Sequence, residues 1–346
     1  MTIFHNDRSL YWERLNISEA YGASLAEFVP KLEQLTMYNI RRAEGFNLFF
    51  QSLSTQRIRS LKIDSCHELD LRIVLSNCPF LESLECDELG YQPNLFDVIS
   101  KSLKSLSIGI PNYNKRPVLK KLAEFKCLES LKIEACVIDS DDLNFLRHLN
   151  LTSFEITGHT KLLSKISTLY KNLKELVFWP DFSDSNTKRY DERSFYNFAR
   201  NVQYSIEKLT LRSCDLTDEF FGQLAADGVL FHRLTSVDID FAARHVSDYA
   251  ICTFFTKCTN LRKFSMSQTR ITDVGLRKLF NNCRKLREIE LTFTNTVSTP
   301  FAMIAIVDYA RKYSNRKIKA RIPCDTTFFA DNLNKPTNLT MSNSFK

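Results

Sequence analysis

The sequence predicts an α/β fold of the leucine-rich-repeat class: a right-handed solenoid (horseshoe) with a parallel concave sheet and convex helices. Twelve segments share one spacing, in which an apolar residue is followed by a second three positions later and a third two positions after that. Successive copies begin 20 to 33 residues apart, which is the period of leucine-rich repeats. One copy cannot bury its own apolar edge, so the copies must stack into about 12 repeats.

Each copy predicts a short strand in which the second and third apolar residues point into the core. The copies begin at Trp12, Leu32, Ile58, Leu81, Leu103, Leu128, Leu151, Leu173, Ile206, Leu234, Leu261 and Leu286. The first strand is therefore expected to contain Trp12, Leu15 and Ile17. In the middle of the chain, Pro111 and Pro117 shorten the segment that follows the strand.

The stretch 272–294 shows how one unit is built. Thr272 or Asp273 can cap a helix by accepting a backbone N–H. The apolar residues that follow, such as Leu276 and Leu279, fall on one helical face. Ile289 and Leu291 then alternate with period two, as in a half-buried strand. Strand, loop, helix and return therefore make one coil of the solenoid.

The C-terminal end of the solenoid is expected to be capped. Residues 1–324 form the solenoid, with a cap from about residue 296 that contains a helix from Pro300 to Tyr313 and a last degenerate strand from Ile318 to Ile322. Both ends of a stack of strands expose unpaired edges and need such a cover. Residues 325–346 are polar and are expected to form a flexible tail.

Composition narrows the class of protein. The chain has 346 residues and a net charge of +7, but no dense run of Lys or Arg, so we expect no nucleic-acid binding. No segment approaches the about 20 apolar residues of a membrane span, and the first twenty residues lack the apolar core of a signal peptide. We therefore expect a monomer in the cytoplasm and/or the nucleus.

The cysteines follow the repeat. Six of the ten recur at fixed distances from the apolar positions, namely Cys66, Cys78, Cys136, Cys214, Cys258 and Cys283. A thiol suits a tight buried turn because it is small and only weakly polar. Their spacing does not match a zinc site, so we expect a packing role and no metal or other cofactor.

No catalytic constellation is present in the sequence. The six histidines are dispersed, and there is no Gly-rich phosphate loop and no nucleophile elbow. Cys66 and His67 are neighbours in sequence, but adjacent strand residues point to opposite faces, which is wrong for proton transfer. We therefore predict that the protein is not an enzyme.

The stretch Ile271-Thr-Asp-Val-Gly-Leu, followed by Cys283, Leu286, Ile289 and Leu291, resembles the cysteine-containing repeats of F-box/LRR proteins. These are substrate receptors of SCF ubiquitin ligases. The resemblance is specific over residues 206–294 and degenerate over residues 32–178. Residues 6–18 also resemble the segment that follows the F-box in this family. The F-box itself is not present in this chain, so binding of the SCF adaptor would require an F-box supplied upstream.

The resemblance implies the substrate-recognition half of such a receptor; the alternative is an LRR scaffold or inhibitor that acts independently of ubiquitin. Partners are expected on the concave face, to which the variable strand residues point. Those residues include six basic and ten acidic side chains, so the partner protein is expected to have basic character, unless the charges merely keep the sheet soluble. The candidate binding residues are Tyr38, Glu175, Val177, Trp179, Lys208, Arg212, Asp238, Asp240, Lys263, Glu288 and Glu290.

Among these candidates Trp179 is the expected anchor, because an exposed aromatic can supply much of the energy of an interface. The alternative is that it packs under the following loop. That loop, residues 180–193, is the one long insertion between repeats. Insertions in solenoids often flank a binding face, although a tolerated disordered loop is the alternative here.

Overall fold

The structure is a computed structural model that carries the whole sequence. It describes residues 2–6, 8–14, 19–40, 44–52, 57–66, 69–181, 192–214, 216–240, 245–292, 300–322 and 335–343. The chain divides into two compact units, which we call unit 1 (Met1–Thr157) and unit 2 (Gly158–Lys346). Within the described ranges, every helix is too short or too polar to cross a bilayer.

Unit 1 is a stack of strands joined by helical returns. Its strands are β1 (Thr2–Asn6), β2 (Ser9–Glu13), β3 (Gln34–Tyr38), β4 (Ser60–Asp64), β5 (Ser83–Cys86), β6 (Ser105–Gly109), β7 (Ser130–Ile138) and β8 (Ser153–Gly158, which ends at the boundary). Its α-helices are α1 (Glu19–Phe28), α2 (Glu44–Ser52), α3 (Leu71–Ser76), α4 (Lys115–Leu122) and α5 (Asp142–Leu146). Short 3-10 helices at Asp87–Tyr91 and Pro93–Asp97 take the place of an α-helix between β5 and β6, and a third at Asn112–Asn114 precedes α4.

Unit 2 repeats this plan with longer helices. Its strands are β9 (Glu175–Pro180), β10 (Lys208–Arg212), β11 (Ser236–Asp240), β12 (Lys263–Ser267), β13 (Glu288–Thr292), β14 (Ile318–Ile322) and β15 (Leu339–Asn343). Its helices are α6 (Leu162–Leu169), α7 (Glu192–Val202), α8 (Asp218–Ala226), α9 (Asp248–Thr253), α10 (Asp273–Asn282) and α11 (Pro300–Lys312). Within each unit the strands lie in chain order, and those after β1 that pair in register are parallel.

The inward strand positions form the core that the sequence pattern predicted. Leu209 of β10 lies beside Val237 of β11, which precedes Phe264 and Ile289 on the next two strands. All four side chains are buried. The predicted class, a parallel-stranded leucine-rich-repeat solenoid, is confirmed. The six recurring cysteines are also buried, as a packing role requires.

A left-handed residue follows directly after many strands. Residues with φ between 51° and 55° occupy this position at Arg14, Asn39, Ser65, Ser213 and Gln268, and a further one, Ala135 with φ 64°, lies inside β7. At two of them the backbone N–H continues the ladder to the next strand: Asn39 donates to Asp64 O at 2.9 Å, and Gln268 donates to Thr292 O at 2.9 Å. The turn therefore recurs in register at the carboxyl ends of the strands, even where the residue has a Cβ that disfavours it.

Helix starts in unit 2 are tied to one another by aspartates. Thr217, Ser247 and Thr272 each cap their own helix through the side-chain oxygen. After two of these caps the next residue is an aspartate, Asp218 or Asp248. Its carboxylate accepts hydrogen bonds from the following coil. Asp218 accepts from the backbone N–H and the hydroxyl of Ser247 at 2.8 and 2.5 Å, and Asp248 does the same for Thr272 at 2.8 and 2.5 Å.

A glycine makes room for this ladder of aspartates. A Cβ on Gly275 would lie 2.1 Å from Oδ1 of Asp248, so a larger residue there would displace the Asp248 carboxylate from its hydrogen bonds. The Thr-Asp-Val-Gly pattern of the sequence therefore has a physical basis: a cap, a link to the neighbouring coil, and space for that link.

The first strand lies nearer the N-terminus than the repeat spacing predicted. β2 ends at Glu13, and its inward residues are Leu10 and Trp12, which pair with Leu35 and Met37 of β3. Leu15 and Ile17, which were assigned to this strand, lie outside the described residues. Leu10 and Trp12 alternate with period two, and Leu15 and Ile17 do so equally well. In the structure the Trp12 ring is fully buried.

The two ends of the chain add strands that the repeat spacing did not predict. β1 precedes the first repeat and pairs antiparallel to β2. At the other end, β15 pairs parallel to β14 within the segment expected to be a flexible tail. In this segment Leu339 is buried, and the Asn338 amide donates to three carbonyls of the preceding coil, those of Ala310, Tyr313 and Arg316.

Candidate protein-binding surfaces

In unit 2 the outward positions of the strands form three rows across the sheet, which we call the strand face of unit 2. The registers place Glu175 beside Lys208, Val177 beside Thr210, and Arg212 beside Asp240. Because side chains alternate along a strand, these positions face away from the core. Ten of the eleven candidate residues lie on this strand face, and Tyr38 lies in unit 1 at the end of β3.

Charges on the strand face of unit 2 are paired between neighbouring strands. The Lys208 Nζ lies 3.1 Å from a carboxylate oxygen of Glu175, and the Arg321 guanidinium lies 3.0 Å from Glu290. Each pair is partly exposed and so contributes little to stability, between about 0 and 1 kcal/mol. Its larger effect is to neutralise the carboxylate locally.

Trp179 and Arg212 form the most distinctive group on this face. Trp179 is 45% exposed at the end of β9, and the guanidinium carbon of Arg212 lies 5.6 Å from the centre of its ring. The same guanidinium donates to Oδ2 of Asp238 at 3.1 Å. Arg212 is thereby held between an aromatic ring and a carboxylate, and it presents Trp179 in one orientation without covering it.

The remaining candidates differ in how accessible they are. Lys263 and Glu288 are half-buried neighbours on β12 and β13. On β12 itself, the small side chains of Ser265 and Ser267 are buried, although the alternation pointed them outward. The side chain of Asp240 and most of the 180–193 loop lie outside the described residues. The role of that loop as a flank of the binding face therefore stays a prediction.

The strand face of unit 1, formed by the outward positions of β2 to β8, carries a different surface. Tyr38 is 36% exposed there. The first outward position is serine on five successive strands, at Ser60, Ser83, Ser105, Ser130 and Ser153. The third outward position tends to be acidic or aromatic. The serines therefore form a low row at the amino ends of these strands, and the acidic edge lies at the carboxyl ends. The row between them contains Lys62, Glu85, Ser107, Lys132 and Glu155.

At the carboxyl ends of β4 to β7 this edge encloses an open depression of about 500 Å³. We call it the acidic depression; its lining includes Asp64, Asp87, Glu88, Glu134, Tyr91 and Gly109. None of these six was selected as a candidate site residue from the sequence. A usable signal was present, however, because Gly90, Gly109 and Pro111 interrupt the regular repeat there.

The two glycines explain the shape of the acidic depression. A Cβ on Gly90 would lie 2.1 Å from the carbonyl oxygen of Gly109, and one on Gly109 would lie 2.9 Å from the carbonyl oxygen of Asp87. The 3-10 helix after β5 therefore packs directly on β6. Because Gly109 has no side chain at a position held by Asp64 and Glu134 on nearby strands, the floor stays open.

The carboxylates around the depression repel one another. Burial raises the pKa of Asp87, and the charges of Glu134, Asp64 and Glu85 raise it further, against the opposing effect of Lys132. Lys132 itself lies 2.6 Å from Glu134 and 3.6 Å from Glu155. A single lysine therefore neutralises only part of this edge.

Comparison with known proteins supports the fold. A family profile described as "Leucine Rich repeat" matches residues 257–280. Comparison with curated proteins gives no match. Among solved structures, the crystal structure of the yeast Rad7 and Elc1 complex is similar, with a TM-score of 0.56 at 14% identity over 94% of this chain and 88% of that chain.

Two bacterial proteins are similar at lower scores. An internalin from Listeria monocytogenes gives a TM-score of 0.40 at 13% identity, over 98% of this chain and 86% of that chain. A leucine-rich-repeat protein of Leptospira interrogans gives 0.39 at 14% identity, over 97% of this chain and 89% of that chain. The fold that the sequence predicted is typical of protein-interaction scaffolds without catalytic activity.

Proposed function

We propose that this chain is a non-catalytic protein-binding solenoid that serves as the substrate-recognition part of an F-box/LRR-type receptor of an SCF ubiquitin ligase. It acts as a monomer in the cytoplasm or the nucleus. The observation that carries the proposal is the strand face of unit 2, where Trp179 stands exposed beside Arg212 among self-paired charges. An exposed, oriented aromatic with an adjacent arginine has the composition of an interface hot spot.

The ligase assignment is supported by two further observations. The repeats over residues 206–294 resemble the cysteine-containing repeats of F-box/LRR proteins, and Cys214, Cys258 and Cys283 all occupy buried positions in them. The similar yeast protein Rad7 was solved in a complex with Elc1. By analogy, we infer that this chain also joins a larger assembly.

Affinity capture with matched variants tests this proposal. Tagged wild-type chain, Trp179→Ala and Phe301→Ala are expressed in cells, and co-purifying proteins are identified by mass spectrometry. Phe301 is the control because it is also an exposed aromatic of unit 2, 61% exposed, but lies on α11. We expect the substrate proteins to be retained by Phe301→Ala and depleted by Trp179→Ala, since truncating an anchor costs on the order of 2 kcal/mol.

The same experiment separates the ligase receptor from the alternatives. Cullin-ligase subunits in all three samples support the receptor. Partner proteins without those subunits support a scaffold or inhibitor independent of ubiquitin. Equal capture by wild type and Trp179→Ala contradicts the placement of the substrate on the strand face of unit 2, and capture of no protein contradicts protein binding altogether.

A further inference from the structure

The acidic depression of unit 1 has carboxylates that the chain does not neutralise. Asp64 accepts a hydrogen bond from the Ser65 hydroxyl at 2.8 Å. Among the described residues, neither Asp64 nor Asp87 forms an ion pair. The nearby lysines are already used, Lys62 by Glu85 at 2.5 Å and Lys132 by Glu134. A cation from another molecule would therefore lower the energy of this edge more than that of the self-paired face of unit 2.

Aromatic side chains stand on one side of the same depression. Tyr91 lines it and is 54% exposed, and its ring packs edge-on against Tyr113 with 6.5 Å between the ring centres. The Asn114 amide donates to the carbonyls of Gly90 and Tyr91 at 3.3 and 3.0 Å, which fixes the backbone that carries the ring. The Tyr91 ring is therefore available at the rim of the depression.

Serines leave a low path along β6 on which a peptide backbone can approach the depression. Ser105 and Ser107 are successive outward positions of β6 that lead to Gly109, and Ser83 and Ser130 flank Ser105 on β5 and β7. All four are short, half-buried side chains. An extended segment can therefore lie over them while one of its side chains reaches the carboxylates.

We propose that the strand face of unit 1 docks an extended basic segment of a partner protein, with an arginine side chain in the acidic depression. Arginine fits better than lysine because its planar guanidinium can bond two carboxylates and also stack on an aromatic ring. The charge of this face selects a basic occupant. The inference rests on the proposed protein-binding function and adds to it the chemistry of the partner and a second contact area.

A peptide titration tests the docking directly. The probe is a capped hexapeptide that alternates serine and arginine, with a lysine version and a version in which citrulline, the neutral analogue of arginine, replaces arginine. Binding to the full chain is measured by calorimetry at low and high salt. We expect the arginine peptide to bind most tightly, the lysine peptide more weakly and the citrulline peptide least, and the arginine affinity to fall as salt rises.

Variants locate the site. Asp64→Asn with Asp87→Asn should weaken the arginine peptide by about tenfold, the loss of two partly exposed ion pairs. The control is Glu27→Gln with Glu129→Gln, which removes the same charge from two exposed positions of unit 1, one on α1 and one at the opposite end of β7. We expect less than about a twofold change from it. Tyr91→Ala should reduce the preference for arginine over lysine.

Three results would overturn the inference: no binding of the arginine peptide by the wild-type chain, no loss with the Asp64 and Asp87 substitutions, or an equal loss with the control. Failure here is separable from failure of the proposed function. If captured partner proteins still depend on Trp179 while the peptide does not bind, only the docking in unit 1 is wrong. A thermal unfolding transition of the asparagine variants that is no lower than that of wild type shows that a lost affinity is not a lost fold.

Discussion

The strand faces of unit 1 and unit 2 have equal numbers of acidic residues but different charge. At the outward positions of β2 to β8 there are five carboxylates and two basic residues, and at those of β9 to β15 there are five of each. In unit 2, Lys208, Arg212 and Arg321 pair with acids of neighbouring strands. In unit 1, Lys62 and Lys132 also pair with acids, but two lysines are too few to match five carboxylates.

The difference shows that one repeat architecture supports two kinds of surface. The inward residues are interchangeable in character, because both units bury leucine, isoleucine and phenylalanine. The outward residues are free to vary, since they do not decide whether the coil forms. A neutral face with an exposed tryptophan suits an apolar anchor, while an acidic face suits a cation. One chain can therefore carry two chemically distinct surfaces, one on each unit.

The largest expected effect tests whether the buried cores of unit 1 and unit 2 are equivalent, in contrast to their strand faces. Phe49 in unit 1 contacts Trp12 with 4.9 Å between ring centres, and Phe221 in unit 2 contacts Phe255 at 5.0 Å. Both are buried, so Phe49→Ala and Phe221→Ala should each lower the free energy of unfolding by about 3–5 kcal/mol. Urea denaturation measures both. A loss below about 1.5 kcal/mol for either would show that the cores are not equivalent.

A smaller effect tests whether aspartates link coils in unit 2 but cap only their own helix at α3 in unit 1. Asp248→Ala removes the acceptor for the backbone N–H and hydroxyl of Thr272, so it should cost about 1–3 kcal/mol. Asp70→Ala removes a cap from α3, whose bonds from Arg72 and Ile73 stay within one helix. It should cost about 1 kcal/mol.

Hydrogen exchange distinguishes the two variants further. Loss of protection should extend to α10 in Asp248→Ala, because Thr272 begins that helix. It should stay within α3 in Asp70→Ala. Equal, purely local losses would contradict a linking role for Asp248.

The smallest effect concerns the dependence of stability on pH in unit 1. Burial and neighbouring acids raise the pKa of Asp87 above its ordinary value of 3.8. Its stabilising contribution is therefore present when it is protonated, below pH 3.8, and is lost as the pH rises through the raised pKa. Asp87→Asn should unfold at a slightly higher urea concentration than wild type at pH 7, and this difference should vanish below pH 3.8.

Glu82 provides a control of opposite sign in the same unit. Hydrogen bonds from Lys104 and Arg59 lower its pKa below the ordinary value of 4.5. Its contribution is present above pH 4.5 and is lost as the pH falls through the lowered pKa. Glu82→Gln should therefore be slightly less stable than wild type at pH 7. A destabilised Asp87→Asn at pH 7 would mean that the acidic edge is compensated within the chain.

The sequence predicts the parts of this structure that repeat. Pairs such as Leu209 and Leu211 alternate clearly enough to place a strand, and the outward direction of Trp179 and Arg212 follows from that alternation. The position of β2 was not predicted correctly because the sequence contains two overlapping apolar patterns, formed by Leu10, Trp12, Leu15 and Ile17. β15 was not predicted because a single deeply buried position among its described residues, Leu339, is too weak a signal for a strand.

The acidic depression depends on packing that no spacing rule contains. Asp64, Asp87 and Glu134 are distant in sequence, and they meet at one opening because Gly90 packs against Gly109. The alternation of β4 to β7 placed their strands side by side, but the missing side chain at Gly109 became a cavity only once the neighbouring 3-10 helix was in position. Departures from a repeat therefore say more about function here than the repeat itself.

The aspartate ladder at the helix starts constrains how this array can change length. Each of Asp218 and Asp248 completes its hydrogen bonds on a Ser or Thr of the next coil. A duplicated coil of the same kind supplies that hydroxyl and offers a new aspartate in turn, so the series can extend by tandem duplication. Fusion to a foreign coil without the hydroxyl would leave a carboxylate short of donors. Coils of this kind can therefore be recombined only with coils that begin their helix with Ser or Thr.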